Sequence, residues 1–246
     1  MKVLLIGDSC EDRYFYGDVK RLNPEAPVPI LEYKRGVTSK GMVWNVRENL
    51  RSFGVEVYTS THPEEIIKTR YIDEKSNQQI MRYDVEPKIE PLSFDFPPEW
   101  NNLYDALIIS DYNKGFLTTE KIFELTSRFV GPVFIDSKKT NLPADAYIKV
   151  NELEYEKMSY CNYENLIITR GGEGAEYKGD LYPAEKVNVF DVVGAGDTFL
   201  AALAYGYLKY GRIDKAIPLA NRAAAVAVSH RGTYVLTEED VKKILC

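Results

Sequence analysis

The sequence contains little cysteine and histidine, with three cysteines and two histidines among 246 residues. Cys10, Cys161 and Cys246 are odd in number, widely spaced and without a CxxC pair. Disulfide scaffolds contain an even and larger number of cysteines, and zinc sites need cysteines and histidines at short spacing. The sequence therefore predicts neither a disulfide framework nor a soft-metal centre.

Long apolar runs and an excess of basic charge are also lacking. No run approaches the roughly 18 apolar residues that a membrane-spanning helix needs. The N-terminal run ends at Gly7 and Asp8, which leaves it too short for the apolar part of a secretion signal. A net charge of −6 and a pI near 5.2 are not typical of nucleic-acid-binding proteins. We expect a cytoplasmic protein that acts on a small molecule, with no nucleic-acid or membrane partner.

The chain does contain a regular alternation of strand and helix patterns. Short apolar runs typical of buried strands occupy residues 3–6, 55–59, 107–110, 133–135 and 166–169, and helical patterns occupy 43–53, 120–129, 201–210 and 217–229. This alternation predicts an α/β fold with a doubly wound, mostly parallel sheet flanked by helices. With 45% hydrophobic residues the chain can bury one sizeable core, so we expect one domain over residues 1–246.

Two segments fall outside the alternation, at about residues 13–34 and 68–84. The first contains Pro24, Pro27 and Pro29 among short alternating stretches, and proline within sheets is confined to edge strands and bulges. We expect the two segments to form a small β flap, or lid. Such a lid would expose Tyr14, Tyr16, Val28, Ile30 and Ile80 unless a second copy covers them, so we also expect a homodimer through the lid.

The most informative string is DVVGAGDTF, at residues 191–199. Gly194, Ala195 and Gly196 are small enough to let backbone N–H groups approach a phosphate at the positive end of a helix. Asp197 follows directly, where a carboxylate is able to accept the proton of an attacking hydroxyl. An ordinary glycine-rich turn before a helix is the alternative interpretation.

This string closely resembles the D-T-x-G-A-G-D-T/S-F signature of ribokinase-like (PfkB) carbohydrate kinases, with Val192 in place of the threonine. The resemblance implies ATP and Mg²⁺ as cosubstrate and metal, an anion hole from the backbone of Gly194, Ala195 and Gly196, and Asp197 as the catalytic base. It further implies Asp191 as a candidate ligand of a monovalent cation such as K⁺.

Other segments are similar to the heptose-phosphate kinase branch of that family. They are GDSCEDRY (7–14), RLNPEAPVP (21–29), NQQIMR (77–82) and SDYNKG (110–115). The resemblance implies substrate contacts from Asp8, Asp12, Arg82 and Lys114, with Asp12 as the main sugar ligand and Arg82 meeting a sugar phosphate. A solvated strand arginine is the alternative for Arg82.

SKGMVWN (39–45) is similar to the family's G-G-x-x-x-N turn, which implies that Gly41 and Asn45 hold the sugar. Lys40 takes the place of the first glycine, which favours an altered sugar specificity. Trp44 is interpreted equally well as core packing.

A third group of matches concerns the nucleotide. NELE (151–154) fits the family's N-x-x-E motif, which implies that Asn151 and Glu154 order Mg²⁺, Glu154 through water. A solvated helix cap is the alternative. TRGGEG (169–174) resembles the T-x-G-x-x-G nucleotide loop, and the late helix would border the adenine. The implied nucleotide-binding residues are Asn151, Thr169, Gly171, Gly174, Asn221 and Ala224.

The resemblance also has gaps. Between residues 59 and 68 the chain omits the G-D-D-containing strand and helix that family members place there, and it contains no H-x-G-H motif of the nucleotidyltransferase domain often fused to the heptose-phosphate branch. We therefore expect a minimal kinase domain.

Three functions stay open from the sequence. The first is an ATP-dependent kinase for a sugar or sugar phosphate, with D-glycero-D-manno-heptose 7-phosphate as the leading acceptor. The second is a catalytically silent sugar- or nucleotide-binding regulator, and the third is a kinase for a nucleoside, hydroxymethylpyrimidine or simple hexose. The retained Asp197, Asn151 and Glu154 favour activity, whereas Lys40 and the omitted unit favour altered specificity or lost function.

Overall fold

The structure, a computed structural model, describes residues 1–158 and 164–246, so Cys161 lies outside the described residues. Within these ranges the strands are β1 (Lys2–Gly7), β2 (Ser9–Leu22), β3 (Pro29–Met42), β4 (Glu56–Ser60), β5 (Ile67–Asp73), β6 (Gln78–Val85), β7 (Ala106–Asp111), β8 (Val133–Ser137), β9 (Tyr147–Asn151), β10 (Leu166–Thr169), β11 (Gly174–Tyr177) and β12 (Asp180–Pro183). The α-helices are α1 (Val43–Ser52), α2 (Thr119–Arg128), α3 (Glu152–Tyr155), α4 (Ala195–Tyr210), α5 (Ile213–Val228) and α6 (Glu238–Leu245). Short 3₁₀ turns occupy Pro98–Asn102 and Gly171–Glu173.

The main sheet has the order β12-β11-β10-β9-β8-β7-β1-β4. From β10 to β4 all neighbours are parallel, and β11 and β12 add an antiparallel edge. Helices pack on both faces. One apolar cluster joins the sheet to α1, α4, α5 and α6, and the other joins it to α2 and to Trp100. The predicted doubly wound, mostly parallel α/β fold is thereby confirmed.

Helix α4 begins at Ala195, directly after Gly194, which has φ 79°, so the glycine-rich turn opens this helix as the sequence predicts. Strand β9 has no counterpart among the predicted strands, because Lys149 interrupts its apolar pattern. Lys149 is nevertheless buried.

A separate four-stranded sheet has the order β3-β2-β5-β6, and we call it the lid sheet. Its strands β2 and β5 are parallel, while the two outer pairs are antiparallel. The expectation that Tyr14 is exposed is wrong, because Tyr14 is only 7% exposed, next to the segment around Gly232. The opposite face, which we call the outer face of the lid sheet, carries Phe15, Tyr71 and Met81, which are direct cross-strand neighbours.

The connection between β4 and β5 consists of residues 61–66 alone, and it contains no helix. As a result β4 is the last strand of the main sheet on that side. His62 in this connection is buried and accepts a hydrogen bond from the Ser9 backbone N–H at 3.1 Å, which fixes the connection against the start of β2.

Candidate active site

The site lies where the carboxyl ends of the central parallel strands meet the N-terminus of α4. Asp8 follows β1, Asp111 ends β7, Asp136 lies near the end of β8 and Asn151 ends β9. Ligands of open α/β sheets bind at this edge of the sheet. The topology therefore gathers, at one edge, polar residues that are far apart in the sequence.

The glycine-rich turn is shaped by its close neighbours. A Cβ atom on Gly194 would lie 2.6 Å from the Asn45 amide nitrogen, and one on Gly196 would lie 2.9 Å from the Lys149 amine. Gly194 also has a left-handed φ, and α4 has no side-chain cap at its N-terminus. The Ala195 N–H donates to the Val192 backbone oxygen at 3.3 Å, and without a side-chain cap the rest of the first turn of α4 is open to an anion at the positive end of the helix dipole.

Asp197 lies in the first turn of α4 and is 2% exposed. Its Oδ1 accepts a hydrogen bond from the Tyr112 hydroxyl at 2.7 Å, and its Oδ2 accepts one from the Asn45 amide at 3.2 Å. Burial raises the pKa of Asp197 to about 6, although the hydrogen bond from Tyr112 acts in the opposite direction. At neutral pH the carboxylate is therefore ionised and basic enough to accept a proton.

Lys149 and Asp136 form a buried ion pair beside Gly196, with 2.6 Å between the Lys149 amine and Asp136 Oδ2. Burial alone would lower the pKa of Lys149, but the Asp136 carboxylate offsets this and the pKa is raised. A permanent positive charge thus stands next to the proposed anion hole. Sequence analysis did not identify either residue, although a lysine inside an apolar strand pattern was a usable signal.

Asp12 is buried on β2 and accepts a hydrogen bond from the Arg70 guanidinium at 2.6 Å. A Cβ atom on Gly41 would lie 2.3 Å from the Asp12 carboxylate, so the absence of a side chain there makes room for Asp12. The Arg70 guanidinium also lies 5.1 Å from the Tyr14 ring centroid. Arg70, which sequence analysis also missed, is therefore a close partner of the expected sugar ligand.

Asp8 is 1% exposed and holds a loop in place. Its Oδ2 accepts hydrogen bonds from the backbone N–H groups of Tyr112 and Lys114, at 2.8 and 3.2 Å. Asn113 between them has φ 56°, the left-handed conformation that the asparagine in this motif tolerates. Among the described residues Asp8 Oδ1 has no hydrogen-bond partner.

The two basic residues expected to meet the substrate are paired with carboxylates. The Lys114 amine lies 2.6 and 2.7 Å from the two oxygens of Glu86. Arg82 on β6 makes a two-point contact with Asp84 and is directly opposite Arg70 on β5. Arg82 therefore shares a face of the lid sheet with Arg70 but is more exposed.

The backbone of the turn into α1 is unusual at Met42 and not at Lys40, the residue that takes the place of the expected glycine. Lys40 has ordinary strand geometry, and its amine lies 5.1 Å from the Trp44 ring centroid. Met42 instead has φ 57° and ψ −128°, a combination that glycine adopts far more readily. The position where the missing glycine strains the backbone is thus Met42, two residues after Lys40.

A cavity of about 370 Å³ opens beside the N-terminus of α4. Its walls are mainly apolar and include Phe199 and Val228, and Gly196 borders it at the end near Asp197. The Asn221 amide nitrogen donates to the backbone oxygen of Tyr182 at 2.7 Å, which orients that side chain in the wall. Of the expected nucleotide-binding residues, the cavity brings together Thr169, Gly171, Gly174, Asn221 and Ala224.

Asn151 and Glu154 form a reciprocal cap on α3. The Asn151 side chain accepts from the Glu154 backbone N–H, and the Glu154 side chain accepts from the Asn151 backbone N–H, both at 2.9 Å. Glu154 also pairs with Lys138. Burial would raise the pKa of Glu154, but Lys138 and the Asn151 backbone lower it, so the carboxylate stays ionised. The cap and a role toward a metal are compatible, because each carboxylate oxygen has further lone pairs.

Asp191 joins the glycine-rich turn to the segment that follows α5. Its Oδ1 accepts from the Val193 backbone N–H and its Oδ2 from the Gly232 backbone N–H, each at 3.0 Å. Among residues 1–158 and 164–246 there is no cluster of three or more histidine, cysteine or acidic side chains able to hold a metal. In the same residues no helix is long and apolar enough to cross a membrane.

Comparison with known proteins identifies relatives in sequence. Residues 144–240 match the family model described as pfkB family carbohydrate kinase. The bifunctional protein HldE of Helicobacter acinonychis is 31% identical over 307 positions, which include 99% of this chain and 66% of that protein. HldE of a Nitratiruptor species is 29% identical, with 98% and 64% covered. The chain thus spans just under two thirds of the length of these relatives, and the 307 aligned positions exceed its 246 residues.

Solved structures share the fold. The phosphofructokinase-2 of Escherichia coli in complex with potassium has a TM-score of 0.72 at 16% identity, with 98% of this chain and 97% of that chain covered. The ribokinase of Thermotoga maritima has a TM-score of 0.68 at 17% identity, with 99% and 98% covered. At these identities the likeness establishes the fold.

Proposed function

The chain belongs to the pfkB family of carbohydrate kinases, and we propose that it transfers the γ-phosphoryl group of ATP to a hydroxyl of a sugar phosphate. The observation that carries this proposal is the position of Asp197. This buried, ionised carboxylate directly follows Gly196, which lines the cavity beside α4. Its charge acts on the Cys10 thiol of β2, which in turn lies 3.8 Å from Asp12 Oδ2. A base between a nucleotide cavity and a polyol-binding carboxylate is the arrangement that phosphoryl transfer to an alcohol requires.

In this proposal the nucleotide base occupies the apolar cavity and its phosphates extend to the turn formed by Gly194, Ala195 and Gly196. The N–H groups at the start of α4 and the Lys149 amine stabilise the negative charge of the transferring group. Asp197 accepts the proton of the attacking hydroxyl. Burial of Asp197 excludes water, which strengthens these electrostatic interactions.

Asn151 and Glu154 would hold Mg²⁺, Glu154 through water. Their oxygen atoms are of the type that Mg²⁺ prefers, and Mg²⁺ is commonly held by one or two carboxylates together with substrate phosphates. The absence of a larger acidic cluster among the described residues fits such a site. Mg²⁺ would neutralise charge on the phosphates. Asp191, whose two oxygens link the glycine-rich turn to Gly232, would hold K⁺.

The acceptor that the lid favours carries a phosphate, with D-glycero-D-manno-heptose 7-phosphate as the leading candidate. Lys68 and Arg70 lie directly opposite Asp12 and Tyr14 of β2, and Arg82 lies opposite Arg70. Direct cross-strand neighbours share a face, so three basic residues border the expected sugar ligand. Guanidinium groups bind phosphate by two-point hydrogen bonds.

We further propose a cytoplasmic homodimer in which the outer face of the lid sheet is the interface. That face carries the exposed side chains of Tyr33, Met81, Tyr83 and Val85. Phe15 lies among them, edge-on to the Tyr33 ring and tilted against the Tyr71 ring. An exposed apolar surface of this kind is typical of protein interfaces.

The proposed reaction is tested by measuring ADP release with ATP and Mg²⁺ against a panel of acceptors. The panel contains D-glycero-D-manno-heptose 7-phosphate, the same heptose without phosphate, fructose 6-phosphate, ribose and adenosine. We expect the highest kcat/KM for heptose 7-phosphate. Arg82→Gln should lower kcat/KM for the phosphorylated heptose while leaving the unphosphorylated one unchanged. No acceptor-dependent ADP release, or a preference for adenosine, would overturn the proposal.

A further inference from the structure

Tyr112 connects two carboxylates of the site that are not in contact with each other. Its hydroxyl donates to Asp197 Oδ1 at 2.7 Å, and its backbone N–H donates to Asp8 Oδ2 at 2.8 Å. The proposed reaction assigns no step to this side chain. The geometry nevertheless places a hydroxyl donor directly on the group that would act as base.

The loop that carries Tyr112 is held at several points. Asp8 also accepts from the Lys114 backbone N–H at 3.2 Å, and the Asn113 backbone N–H donates to Asp111 Oδ1 at 3.0 Å. The buried Asp8 carboxylate thereby fixes both sides of the turn. A hydroxyl on a loop restrained in this way has a defined position, because the backbone that carries it cannot shift freely.

The second oxygen of Asp197 is restrained as well, by the Asn45 amide at 3.2 Å. With one donor on each oxygen, the carboxylate cannot rotate about its Cβ–Cγ bond without losing a hydrogen bond. Each oxygen keeps a further lone pair for the acceptor hydroxyl. The two donors thus leave Asp197 available for proton transfer while fixing its plane.

We propose that Tyr112 is a positioning residue that holds the Asp197 carboxylate oriented and ionised through its hydroxyl. This inference rests on the proposed role of Asp197 as base. A buried carboxylate is more stable in its charged form when it accepts a hydrogen bond, and the loss of that donor favours the protonated form. Tyr112 would therefore extend the activity of the base to lower pH.

Other groups around Asp197 must be considered in any test that varies pH. Asp136 on β8 raises its pKa, and Lys149 on β9 lowers it. The Asp197 charge also acts on the Cys10 thiol of β2. Burial raises the pKa of Cys10 to about 12, so the thiol remains neutral. A change confined to Tyr112 leaves all three groups in place.

The direct test is a carboxyl ¹³C NMR titration of the full chain, labelled at aspartate, in wild type and Tyr112→Phe. The Asp197 signal is assigned by its absence in Asp197→Asn. We expect the Asp197 midpoint to rise by about one to two pH units in Tyr112→Phe, since a hydrogen bond to a charged group contributes about 1.5–3 kcal/mol. The matched control is Tyr177→Phe, which removes another tyrosine hydroxyl that donates to Asn165 at 3.3 Å. That variant should leave the midpoint unchanged.

A fluorinated tyrosine in place of Tyr112 gives a second test with the opposite sign. Its hydroxyl is a stronger donor, so the midpoint should fall below the wild-type value. This variant retains the shape of the ring and remains informative if Tyr112→Phe does not fold. An Asp197 midpoint that stays unchanged in the folded Tyr112 variants overturns the proposal.

Kinetics separate this inference from the proposed function. With ATP, Mg²⁺ and heptose 7-phosphate, the acid limb of the kcat/KM profile of Tyr112→Phe should move up by the same amount as the NMR midpoint. A wild-type enzyme that turns over no acceptor contradicts the proposed function, whereas the titration still tests the effect of Tyr112. An acid limb that does not move in an otherwise active variant contradicts the positioning role alone.

Discussion

Burial and hydrogen bonding shift the pKa of the Asp197 carboxyl group in opposite directions. Burial favours the neutral acid, and the donors on Tyr112 and Asn45 favour the carboxylate. The outcome is a pKa raised from the ordinary 3.8 to about 6. The folded state therefore binds this proton more tightly than the unfolded state, and the group's contribution to stability is greatest below pH 3.8 and is lost as the pH rises through 6.

It follows that Asp197→Asn should make the protein more stable at pH 8, because the variant no longer buries an ionised carboxylate. A shift of this size corresponds to up to about 3 kcal/mol in the free energy of unfolding. The gain should shrink as the pH is lowered from 8 to 5. Urea unfolding of wild type and variant at several pH values measures it.

Asp240→Asn is the matched control with the opposite sign. Burial would raise the pKa of Asp240, but hydrogen bonds from Thr237 and Tyr234 lower it below the ordinary value. Its charged form is therefore stabilised by folding, and the variant should be less stable than wild type at pH 8. Equal stability of wild type and Asp197→Asn at pH 8 would show that burying the ionised Asp197 carboxylate does not destabilise the folded state.

Single residues differ in how far the sequence predicts them. Asp197 and Gly196 belong to the contiguous string DVVGAGDTF, which is specific enough to identify both residues from the sequence. Lys149, Arg70 and Tyr112 acquire their roles from partners on other strands or helices: Asp136, Asp12 and Asp197 respectively. Such pairs form only when the chain folds, so the sequence does not show which residues they join.

At the scale of elements, the short helix α3 combines a structural cap with a proposed metal role. Glu154→Gln retains side-chain oxygen and size, so the cap to the Asn151 backbone N–H can persist. The loss of charge should still weaken the ordering of metal-bound water. We expect the Mg²⁺ concentration for half-maximal ADP release to rise about 10-fold.

Glu152→Gln provides the control for this experiment. Glu152 lies in the same turn of α3, but it pairs with Arg170 on its exposed side. Its replacement should leave the Mg²⁺ requirement unchanged. A Glu154→Gln enzyme with wild-type metal dependence would limit Asn151 and Glu154 to the helix cap.

The lid sheet gives the second prediction at this scale. If its outer face is the dimer interface, the wild-type protein should sediment as a dimer at micromolar concentration, and Met81→Asp should sediment as a monomer. A charge buried in an apolar interface without a partner is strongly unfavourable. Val130→Asp, at an exposed apolar residue outside the lid sheet, should leave the dimer intact. A monomeric wild type, or a Met81→Asp protein that still dimerises, contradicts the interface.

Strands with an uninterrupted apolar run were predictable from the sequence, and a strand whose apolar run contains a charged residue was not. Strands β1, β7, β8 and β10 have continuous apolar runs, and their predicted positions agree with the structure to within two residues. Strand β9, which the sequence did not predict, contains the charge of Lys149. This exception lies at the candidate site, where packing of functional groups overrides local propensity.

At the scale of the whole molecule, the short connection at residues 61–66 leaves the candidate site assembled. Asp197, Lys149 and the cavity beside α4 come from the part of the chain after residue 143, and Asp12 and Asn45 come from the part before residue 61. Both parts converge at the same sheet edge. The fold thus brings together the residues of the proposed phosphoryl-transfer site although its relatives contain segments with no counterpart in this chain.

The central claim is that this site moves the γ-phosphoryl group of ATP to a sugar hydroxyl with Asp197 as base. Incubation with γ-³²P-labelled ATP, Mg²⁺ and D-glycero-D-manno-heptose 7-phosphate, followed by separation of the products, tests it most directly. In wild type the label should appear in a heptose bisphosphate, and in Asp197→Asn its rate of appearance should fall about 10²–10⁴-fold. Label found only in inorganic phosphate, or transferred at the same rate by both proteins, would contradict the claim.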